Sequence, residues 1–335
     1  MIAQIIFYIQ PFVIAFSLSS VFCWAIIKVV NTFFHDKIKI PRFGGIAVIG
    51  AFIVGLYLNK YLVFDQTVWA MIIGGIAILI FGVIDDVMKL RWQSQLFAQI
   101  TVVLLVFIIG VRITSLSNIL ANIPLLEQFH LSIFSLLFIL VWMLVMMNAV
   151  NWSDGLDGLS AGVVLIASVA IFIIALKPNV MQPPIAIITS VFAGSILGFL
   201  VFNFPPAKIF IGSSGAFFMG FIVAMLAIVA GVKIGTTLLV LIVPLVDAIW
   251  VVVERIKKGQ SIFKGDKRHL HHRLLDRGWS AYKILTLYYS FTLVCAVLAV
   301  ITHDIGKIMT ILVFAFLIAI FFGIISIDTK KYDFQ

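Results

Sequence analysis

The chain is 335 residues long, 63% hydrophobic and 11% charged, with a mean hydropathy of +1.21. Soluble domains carry about 25% charged residues, so this composition excludes a water-soluble globule, and apolar runs that are continuous rather than alternating exclude an outer-membrane barrel. The net charge of +9 follows from loop topology and attraction to anionic lipid, and no nucleic acid is needed to explain it.

In chain order, apolar runs bounded by charges, Pro or Asn predict an all-α polytopic membrane protein of about eleven transmembrane helices, one domain over 1–335. They are 5–30, 44–59, 68–84, 96–112, 131–149, 159–176, 185–203, 215–231, 237–254, 283–302 and 308–327. Several fall short of the ~20 residues a full crossing needs, so their ends extend into the neighbouring loops. The first run lacks a basic start and continues for a span's length, which does not read as a cleavable signal. Cys23 and Cys295 lie in apolar runs and read as buried spectators.

Orientation follows from Lys and Arg. With the N-terminus outside, only Lys60, Arg112, Lys177, Lys233 and Lys307 fall on the outer side, and the other 18 of 23 fall inside. That bias is the positive-inside pattern. It places the polar sequence on the cytoplasmic face: Asp85-Asp86, the stretch from Asn148 to Ser160, the gap Gly212-Ser213-Ser214-Gly215, and His269-Leu-His271-His272-Arg273. Of the acids, only Asp65, Glu127 and Asp304 lie outside. A transporter for lipid-linked sugars would instead place ionisable groups near the midplane.

Each motif carries its own chemistry. Asp85-Asp86 reads either as a solvated helix end or as a pair held by a cation, since adjacent like charges are costly alone; Mg²⁺ is the usual hard cation for carboxylates facing phosphates. NAVNWSDGLDGLSAG (148–162) holds two amides, two acids and two glycines in its first eleven residues, more than a helix cap needs. HLHHR is read as a phosphate-contacting loop over a zinc site, because no Cys is near and Arg273 supplies a fork for phosphate. Asp247, in an apolar run after Pro244, is functional by default, with pairing to a nearby base as the plain alternative. Together these residues describe phosphoryl transfer from a soluble nucleotide to a membrane-bound acceptor.

At these residues the chain resembles the polyprenyl-phosphate N-acetylhexosamine-1-phosphate transferases, relatives of the phospho-N-acetylmuramoyl-pentapeptide transferases. The resemblance rests on PRFGGIAV (41–48), GVIDDVMKL (82–90), NAVNWSDGLDGLSAG (148–162), residues 198–221, and VPLVDAIWVVVERIKKGQSIFKGDKRHLHHRLLDRG (243–278). It implies a bacterial plasma-membrane enzyme with a cytoplasmic active site. UDP-GlcNAc and undecaprenyl phosphate would give undecaprenyl-diphospho-GlcNAc and UMP, with Mg²⁺ as cofactor or Mn²⁺ as alternative, feeding cell-wall, teichoic acid or lipopolysaccharide synthesis. Carried over by motif, Asp85 stands nearest the attacking phosphate. Asp86, Asn151 and Asp154 hold the metal, Asn148, Asn151, Asp154 and Asp157 line the substrate pocket, and His269, His271, His272 and Arg273 grip the sugar diphosphate. Lys89, with Arg42, is assigned to the lipid phosphate on charge and position.

The resemblance breaks in two places. At 212–216 the family reads G-D-x-G-S with the Asp a metal ligand, whereas this chain has Ser213 there and Ala216 in place of the last Ser. Ser213 is therefore the fourth expected metal position, and a degenerate binding relative is the alternative function. The 31–43 loop also lacks the family's D-x-P-x-x-R-K stretch. Small-residue faces such as Gly194-Ser195 and Gly198 suit packing within one chain or a homodimer.

Overall fold

The computed structural model describes residues 2–34, 40–112, 129–229, 234–261, 268–302 and 304–329. All regular structure among them is helical, as a chain in lipid requires: no water is present to satisfy an open backbone, and a helix satisfies its own. The helices are α1 (Ile2–Phe33), α2 (Gly44–Tyr57), α3 (Gln66–Met88), α4 (Trp92–Ile109), α5 (Phe129–Ser153), α6 (Leu159–Ala175) and α7 (Pro183–Asn203). They continue with α8 (Gly212–Val229), α9 (Ile234–Val240), α10 (Ile242–Lys257), α11 (Leu270–Asp276), α12 (Ala281–Ile301) and α13 (Asp304–Thr329).

Eight of these are long and apolar enough to cross a membrane, or nine if α9 and α10 form one bent span. The sequence reading of eleven also counted α2 and α6, which are apolar but only 14 and 17 residues long. The span expected at 237–254 is not continuous. It breaks at Leu241, and the two halves meet at 77°. Pro244 lies in the first turn of α10, where its missing N–H costs nothing, but it cannot continue a helix from upstream.

The centre of the bundle is α8, whose side chains from Ser214 to Ile228 are all buried. It is enclosed by α2, α3, α5 and α6, while α1 lies along α7. Glycines permit the closest approach, as expected where helices associate without a hydrophobic drive between them. A methyl group on Gly82 of α3 would sit 2.3 Å from the Cα of Ser214, and one on Gly45 of α2 would sit 2.3 Å from the N of Gly215. Three helix ends expected in loops are still helical. Asp85 and Asp86 lie in the last turn of α3, Asn148 and Asn151 in the last turns of α5, and the Gly212–Gly215 stretch is the first turn of α8 rather than a gap. The expected short loop at 31–43 falls partly on 35–39, outside the described residues, as does the 262–267 portion of the histidine motif.

Candidate active site

The sequence motifs meet at one end of the bundle. The C-terminal ends of α3, α5 and α7 and the N-terminal ends of α6 and α8 surround a polar pocket of about 330 Å³. It is lined by Arg42, Asp86, Asn151, Asp154, Asp157 and Ser213, among others.

Asp86 is fixed by α8. Its carboxylate accepts the N–H of Ser213 at 2.7 Å, the N–H of Ser214 at 3.3 Å and the hydroxyl of Ser214 at 3.0 Å. The first N–H groups of a helix have no partner within it and carry partial positive charge, so a carboxylate from α3 caps α8 from outside. Gly212 makes room for this. Its φ is +71°, and a Cβ there would fall 2.4 Å from the Arg42 carbonyl and 2.5 Å from Asp86 Oδ2. Backbone bonds from Gly44 to Phe210, from Gly45 to Ile211 and from Phe210 to Pro41 lay residues 41–45 beside the approach to α8, which brings Arg42 to the pocket.

The 154–158 turn is fixed on the opposite wall. Asp154 accepts the Ser160 hydroxyl at 2.6 Å. Asp157 accepts the Ala207 N–H at 3.0 Å, and Asn203 accepts the Gly158 N–H at 2.9 Å while donating to the Ile209 carbonyl. The Tyr289 hydroxyl donates to the Gly158 carbonyl at 2.6 Å. Burial pushes the Asp154 carboxyl up to about 7. The Ser160 bond and Arg42 oppose this, and the charges of Asp86 and Asp157 add to it. The pocket thus sets two carboxylates, Asp86 and Asp154, close enough for one to penalise ionisation of the other.

Not every predicted residue faces the pocket. Asp85 is buried behind it, with Oδ1 accepting the Leu90 N–H at 3.0 Å and the Gln95 side chain at 2.9 Å; that oxygen is engaged in ending α3. Asn148 exchanges hydrogen bonds with Gln99. Both line a second, mostly apolar groove of about 350 Å³ between α4, α5 and α10, along with Gln95, Trp152, Ile249 and Val253. Lys89 is exposed, in left-handed conformation at the end of α3. Arg273 is buried in an ion pair with Glu254 at 2.7 Å, its Nε donating to the Arg268 carbonyl, which anchors the histidine segment to α10. His269 accompanies Asp247. His271 is wholly buried against the 154–158 turn: a Cβ on Gly155 would lie 2.1 Å from its Nε2. Burial, followed by the charges of His272 and His269, lowers its pKa to about 3, so His271 is neutral across the physiological range. Its ring packs 4.2 Å from that of His272.

The sequence did not point to Asn203, Gln95 or Gln99. Asn203 alone had a usable signal, an amide ending an apolar run before Pro205-Pro206.

Asp86, Asp154, the Asn151 amide and the Ser213 hydroxyl are all hard oxygen donors on one pocket. Among the described residues no three His, Cys, Asp or Glu side chains gather to hold a metal by themselves. Asp157 lines the same pocket, and a site offering these few oxygen donors fits a cation that keeps several waters, which is the habit of Mg²⁺.

The sequence model of glycosyl transferase family 4 matches residues 68–231. A probable undecaprenyl-phosphate N-acetylglucosaminyl 1-phosphate transferase of Bacillus subtilis is 30% identical over 299 residues, covering 87% of this chain and 81% of that protein. A decaprenyl-phosphate N-acetylglucosaminephosphotransferase of Mycobacterium leprae is 33% identical, covering 74% and 70%. A phospho-N-acetylmuramoyl-pentapeptide-transferase of Halalkalibacterium halodurans is 32% identical, covering 79% and 84%.

Proposed function

We propose, since this chain belongs to glycosyl transferase family 4, that it transfers N-acetylhexosamine-1-phosphate, with GlcNAc the first candidate sugar, from a UDP-sugar to undecaprenyl phosphate and releases UMP. The observation that carries this reading is the junction of pocket and groove. Asn151 lines the polar pocket and its neighbour Trp152 lines the apolar groove, so the two meet at one helix end. An isoprenoid chain in the groove would bring its phosphate to the carboxylates.

An oxygen of the lipid phosphate attacks the sugar-bearing phosphorus, a new P–O bond forms, and the bond to the UMP oxygen breaks. The attacking phosphomonoester is mostly a dianion near neutral pH, its second pKa being about 6, so no proton need be removed. That suits Asp85, whose Oδ1 is engaged by Leu90 and Gln95; its part is to hold Gln95 at the groove. Asp86, Asn151, Asp154 and Ser213 would hold Mg²⁺, with Mn²⁺ the alternative. When bound, the ion neutralises the diphosphate and steadies the leaving UMP. Asp157 shapes the nucleotide side, Arg42 adds positive charge beside the carboxylates, and Lys89 lies outside the pocket as a counter-charge for the lipid phosphate. The orientation that makes this face cytoplasmic is the one read from Lys and Arg.

Asp154 must lose its proton to ligate. With its pKa at about 7, apparent affinity for Mn²⁺ is expected to rise about tenfold per pH unit from about pH 5.5 to 7 and to level off above. Mn²⁺ binding followed by electron paramagnetic resonance across that range checks this, and a flat profile would remove Asp154 from the ligand set. The sign for folding is the reverse. Between about pH 4 and 7 the ion-free folded protein binds the extra proton, so this group's contribution to stability declines as pH rises.

The decisive experiment measures UMP release from purified protein with UDP-GlcNAc, undecaprenyl phosphate and Mg²⁺, for wild type and Ser213→Asp. Wild type is expected to turn over. Ser213→Asp adds a charge at the first turn of α8 beside Asp86, where the helix dipole favours it, and should lower the Mg²⁺ needed for half-maximal rate about tenfold, since ligand charge count tunes affinity. Silence from both, with other UDP-sugars and Mn²⁺ tried, would overturn the enzyme and leave a binding protein with a degenerate site.

A further inference from the structure

Asp247 lies on α10, three residues past Pro244, and is 3% exposed. Both of its oxygens are engaged. Oδ2 meets His269 Nδ1 at 3.0 Å, and Oδ1 accepts the Leu270 N–H at 2.9 Å. A carboxylate only accepts hydrogen bonds, so the proton of this contact resides on Nδ1. No described residue bonds Nε2. The ring of His269 lies 5.9 Å from that of His271, almost parallel to it, and 6.0 Å from that of Trp152. Trp152 adjoins the pocket residue Asn151, and His271 presses on the pocket residue Gly155. His269 is therefore held from behind by α10 and from the side by the turn that carries Asp154.

We propose that Asp247 is a positioning residue that locks His269 in the Nδ1–H form and leaves Nε2 as the nitrogen available to a phosphate oxygen of the donor. That the ligand is a sugar diphosphate rests on the transferase reading above; the tautomer does not. A second proton on this ring can enter only at Nε2, so the N–H it creates lies on the side of the ring away from Asp247, where a phosphate oxygen could accept it. The plainer role for Asp247 is to cap α11 through Leu270 alone.

Asp247→Asn separates the two roles. An Asn oxygen still accepts from Leu270, but the amide NH₂ then faces Nδ1 as a donor and drives the ring proton to Nε2. In ¹⁵N-histidine spectra of the detergent-solubilised full chain, His269 (identified by loss of its signals in His269→Gln) is expected to show a protonated Nδ1 in the wild type and a protonated Nε2 in Asp247→Asn. UMP release should fall about 10–100-fold in Asp247→Asn, the usual cost of losing the partner that orients a histidine. In a His269→Gln background the same change should cost less than about twofold. A wild-type His269 protonated on Nε2, or an equal cost in both backgrounds, would overturn the proposal. A wild type that releases no UMP from any donor would sink the transferase reading, and the spectra would still decide this one.

Discussion

Asp86→Asn is expected to lower the UMP release rate by about 10²–10³, the usual cost of removing one preorganised electrostatic group from an active site. Two losses combine. A charge leaves a pocket whose lining carboxylates are Asp86, Asp154 and Asp157, the last of them bonded to the Ala207 N–H. The substitution also places an NH₂ donor against Ser213 or Ser214, whose N–H groups and hydroxyl all donate to the present carboxylate. At least one donor at the start of α8 then loses its partner, costing about 1 kcal/mol, the scale of a lost helix cap. The kinetic and stability effects are separable. Turnover is read from UMP release, stability from thermal unfolding in detergent, and Mn²⁺ binding reports the charge. An Asp86→Asn protein with normal turnover would remove this residue from the chemistry and leave it as a cap.

Gly82→Val is expected to be severely damaging although it lies outside the pocket. Its Cβ would stand 2.3 Å from Ser214 Cα and 2.8 Å from Ser214 N. Those are backbone atoms of the most enclosed helix, so no side chain can swing aside and α3 must move away from α8. Overpacking of this kind costs about 3 kcal/mol. Here it also withdraws Asp86, one turn further along α3, from the donors it caps. Loss of expression or a large fall in unfolding temperature, together with loss of Mn²⁺ binding, is the expected result. Gly50→Ala is the control, because its Cβ would find its nearest neighbour, the Phe22 ring, at 3.4 Å. Equal effects of the two substitutions would refute the close α3–α8 contact as the cause.

Much of the architecture was legible beforehand because lipid imposes a simple rule: long apolar runs become helices that satisfy their own backbones. The convergence of 82–90, 148–162 and 198–221 at one end of the bundle could be anticipated because each motif sits at the end of an apolar run. Helix ends were less legible. In sequence, polar residues such as Asp86, Asn151 and Ser213 look like loop, but they occupy the terminal turns of α3, α5 and α8. At a bundle end facing water, a helix tolerates polar side chains without ending.

Composition and periodicity, then, were enough to determine a polytopic helical protein and to nominate carboxylates, amides and histidines for phosphoryl transfer, because residue type alone decides what lipid accepts and what a phosphate or cation needs. Which of those groups share a pocket was settled by packing. Asp85 and Asp86 are adjacent in the chain, yet one turns back to Leu90 and Gln95 and the other reaches across to α8. Neighbours on a helix point about 100° apart, so a single-residue step separates the carboxylate that ends α3 from the one that lines the pocket. Arg273, whose sequence suggested a grip on phosphate, is taken by Glu254 on α10, and Asp247, 22 residues upstream of His269, becomes its partner. The 77° bend between α9 and α10 and these pairings across separated segments exist only once the chain has folded.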